Sequence, residues 1–133
     1  MYKSIILFLC IFLVSSCSDP VEGKWDDNIK LSAKNFEFGA KVDSVIITTG
    51  GDWWWIDEIS IDDSTFSYYN NENVNFKLDS YSIVENSFVI ERRDKNTLFI
   101  KLEENITGKE RVMRIGLQAG NYFDYVTIKQ SEK

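Results

Sequence analysis

Lys109-Glu110-Arg111-Val112-Met113-Arg114-Ile115-Gly116-Leu117-Gln118, then Ala119-Gly120-Asn121, then Tyr122-Phe123-Asp124-Tyr125-Val126-Thr127-Ile128-Lys129-Gln130 reads as one antiparallel hairpin. Folding it about a two-residue Gly120-Asn121 turn sets Ile115 opposite Val126 and Met113 opposite Ile128, two apolar pairs on one face. The other face then carries Arg114 opposite Thr127, Gly116 opposite Tyr125 and Gln118 opposite Phe123. Side chains alternate with period two, so a slip of one residue would scatter both sets. The pairing therefore predicts two strands with one core side and one outer side.

The rest of the chain repeats this grammar. Short alternating runs are separated by turn residues, and no long amphipathic helix is present in the pattern. Candidate strands are Ile29-Ala33, Phe36-Phe38, Asp43-Thr49, Trp53-Ile59, Phe66-Tyr69, Val74-Leu78, Tyr81-Val84, Phe88-Arg92 and Thr97-Glu103, ahead of the two strands of the hairpin. Gly39, Gly50-Gly51, Asn70-Asn71, Asp94-Lys95-Asn96 and Asn105 to Gly108 punctuate them. Spacing of this kind predicts an all-β sandwich, in which about seven to nine of these eleven runs form antiparallel strands. In Thr97-Glu103 the residues Leu98, Ile100 and Leu102 take inner positions, which leaves Phe99 as an apolar side chain on the outer face.

The N-terminus is organised differently. An apolar run of ten residues, Ile5 to Val14, follows Lys3 and ends in Val14-Ser15-Ser16-Cys17. A helix crossing a bilayer needs about 20 apolar residues, so the run is the h-region of an export signal. Small residues just before a cysteine are what lipoprotein processing requires. Cleavage would remove residues 1–16 and leave Cys17 as the lipid-accepting first residue; the alternatives are an uncleaved anchor or a secretory peptide cut nearby. Two or three acyl chains, at about 0.8 kcal/mol per buried CH₂, hold a protein stably on a bilayer. Residues 17–28 then form a polar, acidic tether, and residues 29–133 the sandwich domain. Ser18 beside the lipidated cysteine is compatible with sorting to a bacterial outer membrane, and the early acids resemble surface-export signals of Bacteroidetes lipoproteins.

Composition excludes several functions. Cleavage removes one of 15 basic residues and none of 21 acids, moving the net charge from −6 to −7. Nucleic-acid binding needs a clustered basic face, so it is not expected. The chain has no histidine, and its two cysteines are Cys10, inside the signal, and Cys17. A Ser-His-Asp triad, a Cys-His pair, imidazole zinc sites and structural disulfides are thereby removed. No cofactor or metal site is called for. Asp57, Glu58, Asp62 and Asp63 are the one acidic cluster that could serve a glycosidase pair or Ca²⁺. A domain this small rarely offers the cleft that catalysis needs, and no EF-hand spacing is present. The expectation is a protein without chemistry of its own.

Several segments together resemble the BACON domain of Bacteroidetes. They are Leu31-Ser32-Ala33 with Phe36 and Phe38, Val45-Ile46-Ile47-Thr48-Thr49, Gly50-Gly51-Asp52-Trp53-Trp54-Trp55-Ile56, and Ile106-Thr107-Gly108-Lys109-Glu110-Arg111 through Val126-Thr127-Ile128-Lys129-Gln130. The likeness runs from about residue 29 to the end. It implies an immunoglobulin-like sandwich and binding of carbohydrate or mucin glycans, although some members of that family look like spacers. Two features depart from the pattern: Ser60 to Glu85 is longer and richer in Asn and Tyr, and the domain stands without an attached enzyme.

Aromatic residues are the candidate ligand-binding groups, because sugar rings stack on aromatic planes. Trp53 and Trp55 share one face of a strand and Trp54 takes the other. Either the Trp53/Trp55 pair fills the interior with Trp54 covered by Ser60 to Glu85, or Trp54 is exposed for binding. Tyr68 and Tyr69 precede Asn70-Asn71, a mixture that suits glycans and also ordinary loops. Phe123 sits beside the hairpin tip, and Tyr125 either binds ligand or lies over the bare backbone of Gly116. The expected function is a surface lipoprotein that binds glycan or serves a glycan-handling complex. The alternative is an interaction module for a partner lipoprotein or enzyme, presenting a sheet edge or aromatic patch. Replacing Cys17 with Ser is expected to move the protein out of the membrane fraction; unchanged fractionation would dismiss the lipid anchor.

Overall fold

The computed structural model of the protein describes residues 26–68 and 70–133. The leader, Cys17 and most of the tether lie outside the described residues. Nine strands build two sheets, with no helix among the described residues. They are β1 (Asn35–Phe38), β2 (Asp43–Thr48), β3 (Trp55–Ile61), β4 (Ser64–Phe66), β5 (Tyr81–Val84), β6 (Phe88–Asp94), β7 (Thr97–Leu102), β8 (Arg111–Ala119) and β9 (Tyr122–Gln130). One sheet has the order β1-β9-β8-β3-β4 and the other β2-β7-β6-β5. This is an all-β sandwich of two sheets.

The β8–β9 hairpin has the register read from the sequence: Met113 pairs with Ile128, Ile115 with Val126, Gly116 with Tyr125 and Gln118 with Phe123. Gly120 has φ +61° at the first turn position, the positive φ that a II′ turn demands there and glycine supplies without steric conflict. Met113, Ile115, Leu117, Val126 and Ile128 are fully buried and face Leu98, Ile100, Leu102, Phe88 and Ile90 of the second sheet.

Four expectations are corrected. The pairing of β1 with β9 is parallel, so the strands are not uniformly antiparallel. Ile29-Ala33 is not a strand: Lys30 has φ +54° and a single bridge, Leu31 to Thr49, joins it to a neighbour. Asp27 fixes this bend by accepting from the amides of Ile29 and Lys30 at 3.0 and 2.7 Å. Val74-Leu78 is a run of turns, because Asn71 and Asn75 side chains capture the amides of Asn73 and Lys77 at 2.8 and 3.0 Å, an alternative to ladder bonding. The strand expected over Phe66-Tyr69 is the short β4, ending at Phe66.

Phe99 faces outward as expected, and the guanidinium of Arg93 covers its ring at 4.0 Å. The outer edge of β2 is guarded. Ser32 donates its amide to Thr48 O at 2.9 Å and accepts from Thr48 N at 3.0 Å, and Asp43 takes the amide of Ser44 at 2.8 Å. The other outermost strands, β1, β4 and β5, are only three or four residues long, and in the edge segments they leave uncovered, 122–126 of β9 and 55–58 of β3, Asp124 takes the Tyr125 amide at 2.9 Å and Tyr81 the Ile56 amide at 3.2 Å. Short, capped edges are poor templates for an added strand.

The loop from β2 to β3 crosses between the sheets at Gly50-Gly51. A Cβ on Gly51 would lie 1.9 Å from the carbonyl oxygen of Asn28, whereas one on Gly39 would meet nothing within 4 Å. Gly51→Ala is expected to destabilise the domain by about 3 kcal/mol through forced backbone separation, and Gly39→Ala to stay within about 0.5 kcal/mol. Urea unfolding of the two variants, side by side, checks this.

Candidate functional site

The site is set by a bulge in β3. Ile56 pairs with Leu117 and Glu58 with Gly116, so Asp57 is an extra residue in the strand. An extra residue reverses the in/out alternation on its N-terminal side. Ile59 and Ile61 point inward beyond the bulge, and Ile56 and Trp54 point inward before it. Trp53 and Trp55 are thereby turned outward.

Trp54 is 1% exposed and belongs to the core, which corrects its reading as a ligand-binding residue. Its indole N–H donates to Thr49 Oγ1 at 3.0 Å, and the Arg92 guanidinium stacks on its ring at 4.1 Å. Arg92 is itself buried and donates to the carbonyls of Trp54, Asp52 and Lys95 at 2.6, 2.8 and 3.1 Å. Burial holds the pKa of this guanidinium below its ordinary value, while the negative ends of those carbonyls engage its two terminal nitrogens and leave Nε buried without a partner. Nearby, the phenol of Tyr81 accepts the Ile56 amide at 3.2 Å, and burial pushes its pKa up to about 12.

The other candidates divide. Tyr68 is buried, with its hydroxyl donated to Glu85 Oε1 at 2.7 Å, so it is not presented to a ligand; burial and the Glu85 carboxylate raise its pKa. Tyr69 lies outside the described residues. Tyr125 covers Gly116, whose hypothetical Cβ would sit 3.2 Å from the Tyr125 ring, and the Arg114 guanidinium lies over that ring at 3.6 Å. Its placement is the structural one. Phe123 remains open, 45% exposed on the outer face.

Asp57 and Glu58 stand mid-strand at the bulge, whereas Asp62 and Asp63 occupy the β3–β4 turn. Asp62, at φ +51°, accepts the Val112 amide at 3.0 Å and lies 3.8 Å from Arg111 Nε. The four acids do not converge, and no metal-holding group of three or more ligands occurs among the described residues.

What converges instead is the pair that points outward. Trp53 is 67% exposed, meets Trp55 edge to face at 5.6 Å, and rests against Gly120 at the β8–β9 turn. Trp55, Gln118 and Phe123 lie in one cross-strand row. Beside them is an open groove of about 970 Å³, bounded by β3 on one side and the 71–79 turns on the other. Asp57, Asn71, Glu72, Lys77, Asp79 and Gln118 are among its polar groups. Trp53 and Trp55 were missed because strict alternation back from Ile59 sends them inward. The signal was the Asp57-Glu58 pair, two successive polar residues between inward Ile56 and Ile59, which breaks the period of two.

No protein-family model matches the chain, and no curated protein matches it. Among solved structures it is similar to a protein from Bacteroides thetaiotaomicron determined by NMR, at 18% identity and TM-score 0.64, over 88% of this chain and 98% of that one. It also matches a Bacteroides ovatus GH5 xyloglucanase at 21% identity and TM-score 0.49, over 79% of this chain and 19% of the enzyme. Titin domain M7 matches at 7% identity and TM-score 0.44, over 79% and 95%. The first likeness concerns the fold alone, and the other two are too distant to add to it.

The two kinds of tryptophan should separate on mutation. Trp54→Ala is expected to cost about 3–5 kcal/mol of stability, as for a large aromatic removed from a core. Trp53→Ala is expected to cost at most about 1.5 kcal/mol, the worth of its edge-to-face pair. Chemical denaturation of both variants measures the difference.

Proposed function

We propose that this protein is a non-catalytic glycan-binding domain, lipid-anchored through Cys17 to a bacterial outer membrane, and that it takes saccharide on Trp53 and Trp55. The observation that carries the reading is the indole of Trp53, held 67% exposed on a rigid base of turn backbone and Trp55, at the mouth of a groove with amide, carboxylate and ammonium groups. An apolar platform with a few convergent polar groups is the usual composition of a small-ligand site. Sugar rings need that combination, since their C–H faces stack and their hydroxyls hydrogen-bond. The resemblance of the strand motifs to BACON domains agrees with this role.

The rival reading is a protein-interaction module, with no sugar binding. Burial of Trp54 and Tyr68 favours it, because two of the expected stacking residues are withdrawn. The short or capped sheet edges argue against strand addition as its mechanism.

Saturable binding to one class of polysaccharide is expected from the domain Ser18 to Lys133 in a glycan panel. Trp53→Ala or Trp55→Ala should then weaken it about 30-fold, the effect of losing an anchoring residue worth about 2 kcal/mol, with Phe123→Ala weaker in effect. Silence across the panel with working controls would favour the rival, whereas binding indifferent to both tryptophans would place the saccharide elsewhere on the domain.

A further inference from the structure

Four carboxylates border the groove beside Trp53 and Trp55: Asp52, Asp57, Glu72 and Asp79. All four residues are exposed, and none of these carboxylates makes a hydrogen bond or ion pair among the described residues. Two cationic residues border the same space. Arg92 is 3% exposed, with both terminal nitrogens committed to backbone carbonyls and its Nε shut away from solvent, so it presents no donor to a ligand. Lys77 is the one exposed ammonium. The acids are too dispersed to form a metal cluster among the described residues. Their field adds to that of a chain whose net charge is −6.

We infer that the groove discriminates by charge, accepting saccharides without acid groups and rejecting those that carry uronate, sulfate or sialate. The inference rests on the glycan reading above and narrows its ligand class. A neutral ring meets the carboxylates as hydrogen-bond acceptors for its hydroxyls. An anionic ring meets like charges across an open cleft, where potentials from several groups sum and exclude the wrong partner. Lys77 and the buried Arg92 offset two of the four carboxylates, which leaves two negative charges in excess against a polymer that bears an acid on every ring. Because the groove is open to solvent, the rejection is screened by salt, which separates it from exclusion by shape.

The test is calorimetric titration of the full chain in detergent with xyloglucan and β-glucan as neutral probes, and with polygalacturonate and chondroitin sulfate as anionic ones. At low ionic strength the neutral probes are expected to bind at least about 100-fold more tightly, with the ratio shrinking as salt is raised to about 0.5 M and the Debye length falls. The triple variant Asp57→Asn, Glu72→Gln, Asp79→Asn replaces exposed side chains and is expected to lower the anionic-to-neutral ratio of Kd at least tenfold. Anionic probes binding as well as neutral ones at low salt, or a ratio unmoved in the variant, would overturn the charge inference and leave the glycan reading standing. Failure of all four probes and of a wider panel would overturn the glycan reading, and this inference with it.

Discussion

The stack of Arg92 on Trp54 holds together the region where the chain passes from one sheet to the other. Arg92 belongs to β6 in one sheet, and two of the three carbonyls it binds, those of Trp54 and Asp52, belong to the loop that enters β3 in the other. Thr49 receives the Trp54 indole proton and passes its own hydroxyl proton to Gly51 O at 2.6 Å. Asn96 closes the same loop from the β6–β7 turn, donating to the carbonyls of Thr49 and Gly51 at 3.1 and 3.0 Å. A buried guanidinium would be expensive if its donors went unmet. Here the unpaired carbonyls of a crossing loop meet its terminal donors, so two desolvation costs offset each other.

That arrangement decides the fate of three consecutive indoles. With Trp54 pinned inward, alternation sends Trp53 and Trp55 out, and the bulge at Asp57 reconciles this with the inward Ile59 and Ile61 farther along β3. Without the extra residue, either the Trp53/Trp55 pair or the Ile59/Ile61 pair would have to change sides. The outward indoles are therefore a consequence of how the core is anchored. Their position is fixed by backbone geometry rather than by loop flexibility.

The sequence made the hairpin legible because both faces of β8 and β9 obey a strict period of two, and every apolar pair agrees with one register. Phe99 and Tyr125 were legible as outward aromatics, though their covers, Arg93 and Arg114, were not. The Trp segment was misread because one inserted residue inverts all assignments on one side of it, and periodicity carries no marker of that except Asp57-Glu58. Val74-Leu78 alternates like a strand, but its Asn neighbours compete for the amides a ladder would need. Its Val74 and Phe76 still pack on the core, so the apolar pattern was real and the backbone conformation was not. Long-range partners such as Arg92 for Trp54, 38 residues apart, leave no local trace at all.

The two ends of the sandwich show why the groove forms where it does. At the end away from Trp53, Gln130 donates to Glu103 O at 3.0 Å, and Asn105 to Lys109 O and Ser131 O at 2.7 and 2.9 Å, so buried amide side chains seal the loops against one another. At the other end the corresponding polar plug, Arg92, lies beneath Trp54 and is consumed there, and the 71–79 turns are tied by their own Asn side chains instead of by β3. A gap remains between β3 and these turns, with Trp53 and Trp55 on its rim. A platform standing on paired strands and a glycine turn has little conformational freedom left to lose, so a ligand settling there meets a surface already ordered.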